Sequence, residues 1–373
     1  MNSYSRLKKE GIEIIEKLNT LKVNNIAINV ASKLCLAFPE HNLNKSDLFE
    51  SLSRLNMYIA KMPADSTGAK YFYKNNSVYF NENIDMKNLS TMAIHECIHF
   101  IQELRDSNNN LTKMGLYSPT SDTGLGLNEA TVQLMASEAN MSNLSSETYF
   151  NISLNTISPD YYPLQCALVN QISYFTGTYP LYHSALNSND VFKNTFILKT
   201  DKKTYSTIIK NLDKLIFLEN NLNYFSVELK YANKPSSIKL LGKFIKKIKN
   251  NITLLFFSTQ NLIIEKCFKS EFNNIRNLKD IKEFNKKIYN FKNIIGYSDN
   301  YTFYNEFYRK MMNAIEQKEL YIKQYGEINL FEDINNSLIL VDNTKTTFSF
   351  INTFISKLKK LLGLNKSAEN INN

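Results

Sequence analysis

The sequence predicts a mostly α-helical protein of the α+β class, in which a small β-hairpin or sheet accompanies many helices. Apolar residues recur at a spacing near 3.6 along most of the chain, as the buried face of a helix requires. One stretch departs from this spacing: residues 70–73 and 78–80 are rich in Tyr and Phe and flank four polar residues, a pattern typical of a hairpin. With 373 residues, 43% of them hydrophobic, the chain can bury a large core.

The hairpin lies immediately before the helix that carries the most informative motif of the chain. A polar, glycine-bearing loop, residues 106–126, separates that helix from the next, and loops of this length are commonly functional. The predicted helices span residues 4–37, 42–62, 88–106, 127–138, 163–176, 203–231, 236–257, 260–268, 278–292, 301–324 and 348–362.

Charge and cysteine content exclude several classes of protein. Lys, Asn and Ile are all abundant, which is typical of proteins encoded by AT-rich genomes. The formal net charge of +9 therefore permits an anionic partner without demanding one. The four cysteines form no C-x-x-C pair, which argues against a cysteine zinc site and a disulfide scaffold. No apolar run is long enough to span a bilayer and the N-terminal pattern is not that of a signal peptide, so a cytoplasmic location is expected.

The motif is the pentad His95-Glu96-Cys97-Ile98-His99, which has the form H-E-x-x-H. On a helix, positions i and i+4 share one face, so both imidazoles can reach a single metal ion. Glu96 then lies beside the open coordination position, where it can serve as a general base. Cys97 falls on the far side of the helix and is expected to be a small buried hydrophobe.

A catalytic zinc site needs a third protein ligand, and Glu129 is our choice because it lies at the start of the next helix. Four alternatives remain open at this stage. Glu103 would share the helix face of His99, and Asp122 could bind if the intervening loop folds back. Glu138, about two and a half turns after Glu129, and His183 complete the set.

An H-E-x-x-H helix followed by a second helix with an Asn-Glu pair resembles the gluzincin class of zinc metallopeptidases. The segments Gly126-Leu127-Asn128-Glu129-Ala130 and Tyr161-Tyr162-Pro163-Leu164 are similar to those of uncharacterised metallopeptidases from AT-rich Gram-positive bacteria. The resemblance extends weakly to about residue 195. It implies a zincin-like fold in which His95, His99 and Glu129 hold Zn²⁺ and Glu96 is the general base. Some gluzincins place a carboxylate where this chain has Gln133, which can still orient a ligand histidine through its carbonyl.

The resemblance divides the chain into three regions. Residues 1–195 are the expected zincin-like metallopeptidase domain, 196–345 a helical region of unknown role, and 346–373 a basic amphipathic helix with a polar tail.

Peptide hydrolysis also needs a donor for the developing oxyanion. Tyr161, Tyr162, Tyr182 and His183 all follow the ligand helix and are open alternatives, of which Tyr162 and His183 are taken as the catalytic candidates. The substrate implied by the resemblance is a peptide or protein. The hairpin is expected either to pair with extended substrate backbone or only to cover the motif helix.

Two basic amphipathic stretches, residues 238–248 and 348–362, suggest a competing function. In this alternative the chain is a regulatory or membrane-associated binding protein with a structural or vestigial zinc site. Ordinary surface helices with a solvated lysine face are the favoured interpretation, so membrane contact is not favoured. Neither stretch has the aromatic spacing of a nucleic-acid module, and no nucleic-acid partner is expected.

Overall fold

A computed structural model describes residues 7, 11–63, 68–85, 89–296 and 302–327. The predicted helix 348–362 and the predicted region 346–373 lie outside the described residues. Of the described residues, 65% lie in helices and 13% in strands, which confirms the mostly α, α+β class. Within the described part of the chain, none of the helices combines the length and apolar character needed to cross a bilayer.

The helices are α1 Thr20–Ala37, α2 Lys45–Leu52, α3 Leu89–Ile101, α4 Leu125–Ala139, α5 Pro163–Thr176, α6 Thr178–Asn187, α7 Val191–Lys199, α8 Lys202–Tyr231, α9 Pro235–Asn273, α10 Leu278–Ile294 and α11 Thr302–Tyr325. The strands are β1 Glu13–Lys17, β2 Asn56–Lys61, β3 Ala69–Phe72, β4 Ser77–Asn81, β5 Glu103–Arg105, β6 Leu111–Met114, β7 Ser145–Tyr149 and β8 Ile152–Thr156.

The predicted hairpin is present as β3 and β4, inside a larger mixed sheet. Its strand order is β1-β2-β4-β3, with β2 and β4 parallel and the other two pairs antiparallel. Among the described strands, β3 therefore lies at one edge. Helix α3 packs against β3 and β4, which places the motif helix directly on the hairpin.

Two helix predictions were wrong in the N-terminal part. The predicted helix 4–37 is interrupted, because residues 13–17 form β1 and pair with β2, and helix α1 begins after this strand, at Thr20. The predicted helix 42–62 ends at Leu52, and residues 56–61 form β2, which buries Met57 and Ala60. In both places long-range strand pairing outweighs the local helical spacing.

The loop predicted at 106–126 contains local structure that supports the ligand helices. The motif helix ends at Ile101 instead of 106, and β5 and β6 follow as a hairpin. The buried side chain of Asn128 accepts a hydrogen bond from the Leu116 amide at 2.9 Å, which ties the end of this loop to α4.

The second half of the chain packs on the first. Helices α8 and α9 form the most extensive helix pair, α8 contacts α4, and α9 contacts α5. The predicted helices 236–257 and 260–268 are one continuous helix, α9. Residues 1–327 form one compact unit, so residue 195 is not a boundary between compact units of the fold. The division of roles proposed at that residue stays a prediction.

Candidate metal centre

Helices α3 and α4 bring the three proposed ligands together. The apolar side of α3, with Ala93, Cys97 and Ile98 fully buried, fixes the helix in the core, and the two histidines point the other way. Cys97 is thus a buried hydrophobe, as predicted, and burial raises the pKa of its thiol. Helix α4 packs against α3 and presents Glu129 opposite the histidines.

The three ligand atoms form a nearly equilateral triangle. The Nε2 atoms of His95 and His99 lie 3.1 Å apart, and Glu129 Oε2 lies 3.3 Å and 3.5 Å from them. Ligands placed about 2.0–2.1 Å from a tetrahedral zinc ion are separated by roughly 3.3 Å. The triangle therefore has the dimensions of one face of a zinc tetrahedron, and this group can hold a metal ion.

Gln133 fixes the orientation of the first histidine. Its carbonyl oxygen lies 2.9 Å from His95 Nδ1, while its amide nitrogen donates to the Ser137 hydroxyl at 3.2 Å. Because the amide nitrogen is used by Ser137, the carbonyl faces the ring and accepts the Nδ1 proton. The lone pair on Nε2 is then left for a metal, as the sequence suggested for this glutamine.

The electrostatics of the group favour a bound cation. Burial alone would raise the pKa of the Glu129 carboxyl, but His99 and His95 lower it well below its usual range, so the carboxylate stays ionised. Burial alone would lower the pKa of the His99 ring, and Glu129 raises it to about 9. The Glu129 carboxylate thus stabilises a positive charge at the triangle, either a proton on His99 or a metal ion that displaces that proton.

Glu96 is held by the edge strand rather than by the ligands. Its Oε2 accepts a hydrogen bond from the Tyr71 backbone amide of β3 at 2.6 Å. The Glu96 side chain lines the same cavity of about 510 Å³ as the three ligands. The general base predicted from the motif therefore lies beside the metal group in an accessible cleft.

Two neighbouring tyrosines form another part of the cleft wall. Tyr161 and Tyr162 both line the cleft, and the Tyr162 ring stacks on His95 with 6.2 Å between centroids. Burial and the nearby Glu129 and Glu96 carboxylates hold the pKa of Tyr162 well above its usual value, so its hydroxyl remains a proton donor.

Tyr162 has a backbone conformation that is unusual for its position. It has φ 51° and ψ 38° directly before Pro163, where the left-handed region is costly for a residue with a side chain. The Ser158 hydroxyl donates to the Tyr161 carbonyl at 2.6 Å, which holds this turn in place. Strain of this kind is concentrated at functional sites.

The structure does not bring the remaining sequence candidates to the metal group. His183, predicted as a catalytic donor, stacks its ring on Tyr179 and His41, and it does not line the cleft. The Tyr182 hydroxyl donates a hydrogen bond to the Glu138 carboxylate at 2.5 Å, and neither side chain belongs to the metal-binding group.

The other two ligand alternatives are also engaged outside the triangle. Glu103 lies on β5 and not on the motif helix. Its carboxylate accepts a hydrogen bond from the Tyr71 hydroxyl at 2.7 Å and forms an ion pair with Arg105. Asp122 accepts from the Tyr117 hydroxyl at 2.9 Å.

Sequence reasoning missed one residue that positions the centre. Helix α4 begins at Gly124 without a side-chain cap of its own, and Asp213 of α8 accepts hydrogen bonds from the amides of Gly124 at 2.9 Å and Gly126 at 2.8 Å. A Cβ on Gly126 would lie 2.4 Å from the backbone of Leu212, so only glycine allows this close approach. No local signal connects Asp213 to a helix that starts almost ninety residues earlier.

Comparison of the chain with protein-family models, curated proteins and solved structures finds no match. The function is therefore inferred from the geometry and chemistry of the chain's own residues.

Proposed function

We propose that this protein is a zinc-dependent hydrolase, specifically a metallopeptidase. The single observation that carries the proposal is the triangle of His95, His99 and Glu129, whose edges of 3.1, 3.3 and 3.5 Å fit one face of a zinc tetrahedron. All three ligand residues border the cleft, so a fourth coordination position there would be open to water, as a catalytic zinc site requires.

A peptide substrate is favoured by the shape of the cleft. Strand β3 forms one wall and is the edge of the four-stranded sheet among the described strands, where an extended peptide can add as a further strand. The turn that carries Tyr161 and Tyr162 also lines this cleft, as do Glu96 and the three metal ligands. A peptide added to β3 would therefore lie in the same cleft as Glu96 and the ligands.

Each side chain has a role that follows from its contacts. A bound zinc ion supplies Lewis acidity and lowers the pKa of a water toward neutrality. Glu96, held by the Tyr71 amide, accepts a proton from the attacking water and passes it to the leaving amine. The Tyr162 hydroxyl, kept protonated, donates to the developing oxyanion.

The proposal is tested by digesting a peptide library with the wild-type protein and with Glu96→Gln, each loaded with zinc. Glu96→Gln removes the proton acceptor but no metal ligand, so we expect cleavage to fall by roughly 10²-fold or more while zinc content is unchanged. Glu82→Gln, an exposed carboxylate beyond β4, is the matched control and should cleave like wild type. Equal cleavage by wild type and Glu96→Gln would remove the basis for the mechanism.

A further inference from the structure

The end of α8, the turn after it and the first part of α9 together carry most of the net charge of the protein. Residues 228–250, here called the basic tip, contain seven lysines and one glutamate, a net +6 out of +9 for the whole chain. All seven lysines are exposed. The remaining 350 residues are close to neutral, with +3. The charge is therefore localised in one segment of 23 residues and is not a uniform consequence of lysine-rich composition.

The basic tip also exposes apolar side chains. Residues 226–240 are all described, and none of them is buried. Tyr231 is 74% exposed, Ile238 43% and Leu240 38%. The first turns of α9 bury only Leu241 and, later, Ile248.

A polar depression opens beside these lysines. A cavity of about 570 Å³ lies between α9 and the β7–β8 turn, and it is lined in part by Lys246, Lys249 and Asn151. Gly242 also borders it, and a Cβ at Gly242 would meet no other atom within 4 Å. This surface is open and positively charged, with room for anionic groups.

We propose that the basic tip docks the protein on an anionic membrane surface. Clustered lysines are attracted to acidic lipid headgroups, and exposed Tyr, Ile and Leu side chains enter the interfacial layer. Nucleic acid would satisfy the lysines but not Ile238 and Leu240, which a membrane interface would bury. The proposal concerns a surface other than the metal cleft and does not depend on the proposed hydrolase activity.

Vesicle co-sedimentation with the full chain tests this inference. Wild type is expected to bind vesicles containing about 30% phosphatidylserine and not neutral vesicles, and to be released as salt rises from about 0.1 M to about 0.5 M. The variant Lys239→Gln, Lys243→Gln, Lys246→Gln should bind about a hundredfold more weakly, because each lysine contributes roughly fivefold.

The matched control removes three exposed lysines from the other end of α8. The variant Lys202→Gln, Lys203→Gln, Lys210→Gln carries the same net charge as the tip variant, and we expect it to bind like wild type within about threefold. A second variant, Ile238→Ser with Leu240→Ser, keeps every lysine and is expected to weaken binding through lost apolar insertion.

Several results would overturn the inference. Equal weakening in both lysine variants would show attraction by net charge alone, and unchanged binding in the tip variant would place the contact elsewhere. Binding of a labelled DNA duplex that depends on the tip lysines, without vesicle binding, would assign the basic tip to nucleic acid. Zinc content should be the same in every variant, so failure here is distinguishable from failure of the hydrolase proposal.

Discussion

Gln133 is the residue through which the metal group can be perturbed without removing a ligand. Its carbonyl holds the Nδ1 side of His95, so replacing it with Ala should leave the ring free to adopt the wrong tautomer or rotate. We expect Gln133→Ala to lower zinc affinity about 10–100-fold, measured by competition with a chromogenic chelator.

The control for Gln133→Ala is Asn220→Ala, which changes another polar side chain of the cleft wall outside the ligand triangle. It should leave zinc affinity within about twofold of wild type. Equal affinities for Gln133→Ala and wild type would show that His95 is oriented by other contacts.

Glu219 of α8 makes stability depend on pH. Burial raises the pKa of its carboxyl to about 7, with Gln165 as its hydrogen-bond donor at 2.5 Å. A raised carboxyl pKa means that the folded state binds the proton more tightly than the unfolded state. The associated stability is complete below the unfolded pKa near 4.5 and is lost as pH rises through about 7.

We therefore expect the free energy of unfolding of wild type to fall by about 1–3 kcal/mol relative to Glu219→Gln between pH 5 and pH 8. Urea denaturation of both proteins at several pH values measures this difference. Parallel pH curves for the two proteins would mean that Glu219 ionises at its ordinary pKa.

At the residue scale, the sequence predicted the groups that share a local motif and missed those supplied from a distance. His95, Glu96 and His99 follow from the spacing of one helix, and the choice of Glu129 agrees with the metal-binding group of the structure. The Tyr71 amide that holds Glu96 is a backbone group, and a side-chain motif carries no information about it. His183 was chosen as a catalytic candidate by residue type, which does not show where a side chain points, and its ring contacts Tyr179 and His41.

At the scale of elements, the start of α4 depends on a residue from α8. Asp213→Ala removes the acceptor for two backbone amides at that helix start, so we expect a loss of about 1–2 kcal/mol in stability. Because the same turn positions Glu129, zinc affinity should also fall, by about tenfold.

Asp201→Ala provides a matched control for this effect. Asp201 caps its own helix, α8, by accepting from the Thr204 amide at 2.7 Å, and it also interacts with the Thr204 hydroxyl and with Lys266 of α9. We expect a similar loss of stability in urea denaturation with unchanged zinc affinity. A loss of zinc affinity in both variants would indicate general destabilisation instead of a specific effect on α4.

The elements that the sequence predicted well are those with local signals. The aromatic runs of β3 and β4 surround a polar turn, and α5 ends at Gly177 as expected. Strands β1 and β2 were taken for helix because Ile14, Ile15 and Ile59 fit a helical spacing within mixed polar sequence. Strand β1 pairs with β2, and β2 pairs with β4, which lies about twenty residues beyond it. No local sequence pattern indicates either pairing.

At the scale of the whole molecule, the C-terminal helices complete the core around the metal group. Helix α8 packs on α4 and α9 packs on α5, so a chain ended at residue 200 would expose the apolar faces of both inner helices. We expect that fragment to lack cooperative thermal unfolding and to bind no zinc. A chain ended at residue 327 should unfold cooperatively and bind zinc. A folded, zinc-binding fragment of 200 residues would restore the boundary predicted at residue 195.

The central claim is that His95, His99 and Glu129 together hold zinc, and elemental analysis of three purified proteins tests it most directly. We expect about one zinc per chain in wild type and in Glu103→Ala, and well under half in Glu129→Ala with its circular dichroism unchanged. Wild type that takes up no zinc, or Glu129→Ala that retains a full equivalent, would contradict the account.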